Sequence, residues 1–121
     1  MYESRRRSLR FPIFAIAELS GAAAEQEGPV TTMVDNISLH GMGVYSLKPI
    51  RSGEDIQVKI RFIDRDGTEK MGILTGDIVW SIKYHEVYLV GIAFKEEISP
   101  SNNPELYSYY MEISPVRSGH E

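Results

Sequence analysis

The sequence predicts an all-β fold: a six-stranded antiparallel β-barrel with one C-terminal α-helix. Three observations carry this. Short apolar segments recur along most of the chain, divided by glycine-, proline- and asparagine-bearing turns. Residues 55–63 alternate cleanly, with Ile56, Val58, Ile60 and Phe62 on one face and Gln57, Lys59 and Arg61 on the other. After Pro100 the period changes, and Leu106, Tyr109, Tyr110 and Ile113 fall at helical spacing. The 121 residues suffice for one core and not for two. Six short-linked strands in such a length close best as a barrel, which leaves no open sheet edge.

The elements run in order. Residues 11–19 read as the first strand, and residues 21–29, rich in glycine and alanine, as a loop. Residues 30–37 form the second strand and residues 43–46 a short third. The fourth spans 55–63 and ends at Asp66-Gly67, where glycine tolerates the positive φ of a hairpin turn. Residues 71–82 return as the fifth strand, with Gly72 or Gly76 as the expected place for a bulge. A turn around Lys83-Tyr84-His85 leads into the sixth, residues 87–94. Asn103 suits an N-cap and Pro104 the first helical position, giving a helix over about 103–114. Trp80, alone of its kind on an apolar strand, is expected in the core. Residues 1–10 stand apart as a basic arm, and residues 11–121 as a single barrel domain.

Composition narrows the function. Hydrophobic residues make up 42% and charged residues 25%, a balance that rules out disorder. There is no cysteine, so disulfides, thiolate metal sites and cysteine nucleophiles are excluded. His40, His85 and His120 lack metal-ligand spacing. Asp64, Asp66 and Gly67 resemble the start of a calcium loop, but the later ligand positions are missing and a turn is expected. Asn36-Ile37-Ser38 fits a glycosylation acceptor only by chance in a chain without a secretory signal. No nucleophile elbow or phosphate-cradling loop is present, so no enzyme is expected. With no apolar run of transmembrane length, the protein is expected to be cytoplasmic and not inserted in a membrane.

Charge is uneven. Residues 1–10 carry four arginines against one glutamate, while the rest holds 9 basic and 16 acidic side chains, a balance of −7. An acidic body repels a long polyanion, so neither DNA nor RNA is an expected partner. A short basic arm still suits a compact phosphorylated ligand. Guanidinium forks match phosphate oxygens and the O6/N7 edge of guanine, and they stack on purines. Arg6 and Arg10, four residues apart, can clamp one nucleotide from two sides. A solvated basic tail has the same composition, and the arginines alone do not decide. The turn Asn36-Ile37-Ser38-Leu39-His40-Gly41 is also open to two readings. Asn36 and Ser38 make good turn residues. They equally offer short polar groups to a base edge, with Gly41 allowing close approach to the backbone.

These two elements resemble those of the PilZ domain family. Arg6-Arg7-Ser8-Leu9-Arg10 matches its RxxxR element, and Asn36-Ile37-Ser38-Leu39-His40-Gly41 its (D/N)xSxxG element, in the right order and about 25 residues apart. Ile78-Val79-Trp80 and Val90-Gly91-Ile92-Ala93-Phe94 look like the late strands of that family. The resemblance runs roughly from Arg5 to Ser114. It implies a six-stranded barrel that binds cyclic di-GMP, needs no cofactor or metal, and changes conformation to regulate an unidentified downstream protein. Carried over, Arg6 and Arg10 clamp the ligand, Arg7 assists, and Asn36, Ser38 and Gly41 line the base pocket. Asn36 replaces the aspartate common at that position, so it offers guanine a neutral carbonyl instead of a charge. The arm, with few apolar anchors, is costly to order and is expected to be mobile without ligand. A barrel of this family that docks a partner without binding nucleotide remains the alternative, and the sequence leaves the oligomeric state open, a homodimer included.

Overall fold

A computed structural model describes residues 13–21 and 28–114. It contains β1 (Ala15–Ser20), β2 (Val30–Ile37), β3 (Gly41–Ser46), β4 (Gly53–Ile63), β5 (Glu69–Tyr84), β6 (Val87–Phe94) and the helix α1 (Pro104–Ile113). The strands form a closed barrel in the order β1-β2-β3-β6-β5-β4, and β1 pairs with β4 to close it. Every neighbouring pair is antiparallel. The six strands and terminal helix are those the sequence predicts. β2 and β6 keep the predicted bounds. β3 starts two residues earlier than predicted, and β4 and β5 are longer. β1 is assigned from Ala15, and the first two residues of its predicted span lie outside the described residues.

Alternation explains the core. Ala17 and Leu19 of β1, Met42 and Val44 of β3, Val58, Ile60 and Phe62 of β4, and Val90 and Ile92 of β6 all point inward and are fully buried. Burying each large apolar side chain of this set contributes about 1.5–3 kcal/mol. The helix plugs one end, with Leu106 and Tyr110 buried and Tyr109 stacked on Phe62 at 4.9 Å between ring centroids. This helix end also holds the β2–β3 turn and the start of β1. The β5–β6 turn lies at the opposite end. No helix among the described residues is long and apolar enough to cross a membrane.

Three local expectations are corrected. Asn103 precedes the helix but makes no side-chain cap. Its carboxamide instead accepts from Ile73 N–H at 3.2 Å and donates to Ile73 C=O at 3.1 Å. The reason is that β5 runs past the end of β6, whose last partner is Gly76, so Ile73 lacks a strand on that side. Side-chain amide geometry substitutes for one backbone unit. The β5 bulge lies between Ile78 and Trp80, not at Gly72 or Gly76. Those two glycines instead admit close neighbours, Asn103 Oδ1 and Ala93 C=O respectively. Trp80 is not in the core, because the bulge turns it onto the outer surface, where it is 46% exposed.

A charged junction ties β4 to β5 and to the chain leaving β6. Asp55 sits in a bulge at φ 58°, a left-handed conformation that costs roughly 1–2 kcal/mol for a residue with a Cβ. Its N–H donates to Asp77 Oδ1 at 3.0 Å, and Lys95 Nζ lies 3.2 Å from Asp77 and 3.4 Å from Asp55. The Asp55 N–H, then the Lys95 ammonium, hold the Asp77 carboxyl below its usual range. Hydrogen bonds to Asp77 and Asp55 raise Lys95. The Asp77 contribution is therefore complete above the ordinary carboxylate range and fades as pH falls through the depressed value. The Lys95 contribution is complete below the ordinary lysine range and fades as pH rises through the raised value. Asp77→Asn is expected to lower the melting temperature at neutral pH and to flatten its fall on acidification. A series of melts against pH checks this, and an unchanged acid limb would contradict it.

Candidate functional site

The β2–β3 turn is built by its own polar groups. Ser38 Oγ accepts from His40 N–H and Gly41 N–H, both at 3.2 Å, and donates to Gly41 C=O at 3.3 Å. Ser38 N–H also donates to Gly41 C=O at 2.8 Å. The hydroxyl is buried and occupied, so Ser38 shapes the turn. Gly41 is required by packing, since a Cβ there would overlap Ile92 C=O of β6. Two further bonds fasten the turn, from Phe94 N–H to His40 C=O at 2.8 Å and from Ile98 N–H to Leu39 C=O at 2.9 Å.

Asn36 leaves this turn for the outer surface. β2 carries a bulge between Val34 and Asn36, which sets Asn36 opposite Gly43 of β3. Its carboxamide lies over Gly43, where a Cβ would meet Nδ2 at 3.3 Å and Oδ1 at 3.4 Å. Asn36 Nδ2 donates to Asp35 Oδ2 at 2.7 Å. The charge of Asp35, and a hydrogen bond to it, hold the Tyr45 phenol above its usual range. Asp35 thus orients both neighbours.

Gly43 pairs in turn with Gly91 of β6, and Gly91 pairs with Trp80 across the β5 bulge. The indole lies on Gly91, in the space a Cβ would fill. One level of the barrel therefore reads Asn36, Gly43, Gly91, Trp80 across β2, β3, β6 and β5. Gly43 forms the floor, the Asn36 carboxamide stands at one side, and the indole at the other side covers Gly91. Around them is a depression of about 350 Å³, lined also by Asp35, Tyr45 and Leu89. Among the described residues no lysine or arginine lines it.

The β1 register supplies the link to the arm. Its last pair with β2, Ile16 with Met33, puts the start of β1 at the end of the barrel where β2 runs into the β2–β3 turn. Arg10 is three residues before Ile13 in the sequence, a reach of about 10 Å.

The chain matches the PilZ domain over residues 4–112. It belongs to the PilZ domain family. PilZ domains are a family of cyclic di-GMP receptors and are generally non-catalytic. No curated protein matches the chain.

Against that identity, the residues singled out in the sequence divide into three groups. Arg6, Arg7 and Arg10 lie outside the described residues. Asn36 lines the depression of the PilZ barrel. Ser38 and Gly41 hold the turn from which Asn36 emerges and do not line the depression. Sequence reasoning does not reach Asp35, Tyr45 or the glycine pair, and it places Trp80 elsewhere. The available signal is glycine in strand interiors: Gly43 and Gly91 weaken a strand unless something must lie close over it.

Trp80 is the only tryptophan and so reports on this arrangement. Gly91→Ala is expected to lift the indole off β6 and red-shift its fluorescence emission while the barrel still folds. An emission maximum identical to that of the parent chain would mean the indole does not rest on Gly91.

Proposed function

We propose that this PilZ domain is a receptor for cyclic di-GMP, held between the arm of residues 1–10 and the outer face of β2, β3, β6 and β5. The observation that carries the reading is that Asn36, from the second motif, lines a depression with no lysine or arginine among the described residues, while Arg10 stands only three residues before Ile13 in the sequence.

Each group then has a chemical task. Arg6 and Arg10 supply guanidinium forks to phosphate and to the O6/N7 edge of guanine, and Arg7 adds charge. Asn36 presents its carboxamide to the base edge. Asp35, next to it, offers guanine N–H donors the negative charge that Asn36 lacks. Trp80 provides a stacking surface, a contact worth about 1–3 kcal/mol per base. Ser38 and Gly41 act by positioning, since they fix the turn that delivers Asn36. The ligand bridges arm and barrel. Binding therefore alters the surface of the domain, and a downstream protein reads that change. No step of this scheme makes or breaks a covalent bond, so the output is regulatory.

Calorimetric titration tests the reading. A micromolar Kd, about −8 kcal/mol, is expected. Arg10→Ala is expected to weaken binding at least tenfold, about 1.4 kcal/mol, with the melting temperature of the free protein unchanged. No heat at tens of micromolar ligand would instead favour a PilZ-fold interaction module that does not bind nucleotide. A large drop in the melting temperature of Arg10→Ala would make Arg10 structural.

A further inference from the structure

The β5–β6 hairpin projects beyond the barrel. β4 begins at Gly53, which pairs with Ile78, so β5 has no strand beside it on that side after Ile78. Of residues 79–89, none is buried. The bulge takes up Val79, and the regular open stretch is residues 80–84, centred on Ile82.

The direction of its backbone groups is set by the turn. Tyr84 and Val87 close a two-residue loop, so they exchange hydrogen bonds with each other. By antiparallel alternation Ile82 and Trp80 also face β6, and Ser81 and Lys83 direct N–H and C=O to the open side. Among the described residues neither β4 nor a loop backbone group bonds to them. An edge of this kind is a template for another strand. Its side chains are equally distinctive. Trp80, Ile82 and Tyr84 share one face and are 46%, 57% and 59% exposed.

We propose that this edge is an interface between two copies of the chain, joined as antiparallel strands about a two-fold axis at Ile82. In that register Ile82 faces its counterpart and Trp80 of one copy lies beside Tyr84 of the other. Ser81 and Lys83 pair reciprocally, exchanging the backbone bonds each leaves open. Apolar side chains then meet only apolar ones. Each Lys83 stands opposite a serine, which avoids like charges directly across the junction. Charge favours this place as well. The chain carries a net −4, yet residues 79–89 hold only Lys83 and Glu86, which cancel. Two acidic bodies can approach there without local repulsion. The same edge residue Trp80 lines the depression, so the two depressions would share one continuous outer surface across the axis.

Sedimentation equilibrium of the full chain tests the proposal. A reversible monomer–dimer equilibrium is expected in the micromolar range. Ser81→Pro removes an outward N–H and is expected to abolish it. Ile82→Lys sets like charges face to face and is expected to weaken it at least tenfold, and an equimolar mixture of Ile82→Lys and Ile82→Glu is expected to restore it. Geometry gives a second readout that does not depend on affinity. Facing Ile82 residues form a pair that exchanges no hydrogen bonds, with Cα atoms about 4.5 Å apart, within disulfide range. The chain has no cysteine, so Ile82→Cys is expected to cross-link rapidly under oxidised glutathione, and Tyr84→Cys to lag far behind. A chain that stays monomeric to millimolar concentration overturns the proposal. So does a dimer that persists in Ser81→Pro and Ile82→Lys, or equal cross-linking of the two cysteine variants.

Discussion

Two adjacent strands pass through the barrel wall with glycine at the same level, Gly43 on β3 and Gly91 on β6. Side chains elsewhere on the outer face stand away from the sheet; here nothing stands at all. The space is taken from both sides, by the Asn36 carboxamide and the Trp80 indole. Each reaches it because its own strand carries a bulge next to it. A bulge adds one residue, bends the strand and re-aims the side chains beside it. Glycine pair and flanking bulges form one device, since a Cβ on Gly91 would expel the indole and a regular β5 would point Trp80 elsewhere. The proposed ligand face depends on it.

How much of this was legible in the sequence depends on how far apart the interacting residues lie. Alternation in residues 55–63 is local, and Ile56, Val58, Ile60 and Phe62 are all buried as that pattern requires. The hairpin at Asp66-Gly67 and the proline-led helix are equally local, and both are present. The core position expected for Trp80 fails because its direction depends on a register shift against β6, which no window of β5 residues reveals. Asn103 has the composition of a cap. Its carboxamide serves Ile73 instead, 30 positions earlier in the chain, because α1 covers the stretch of β5 that β6 does not reach. Ser38 and Gly41 are visible as a motif, but their duty to the turn itself emerges only with the bonds in view.

The two ends of the barrel have different characters. The helix end is closed by Leu106 and Tyr110 and anchors the start of β1, with the basic arm just before it in the chain. The other end extends the β5–β6 hairpin with an open edge and an apolar face. Trp80 is common to the ligand depression and to that edge. A ligand that stacks on the indole would therefore act at the margin of the proposed dimer interface, and the domain would then have a short physical route from binding to assembly.

Whether cyclic di-GMP lies across the glycine pair is read most directly by two-dimensional NMR of nitrogen-labelled protein during a titration. The Trp80 indole N–H, the Asn36 carboxamide and the backbone amides of Gly43 and Gly91 are expected to shift together with a single saturation point. The Asn103 carboxamide, bound to Ile73 away from the depression, is expected to stay still. Saturable shifts that bypass those four groups and gather elsewhere on the barrel would contradict the account.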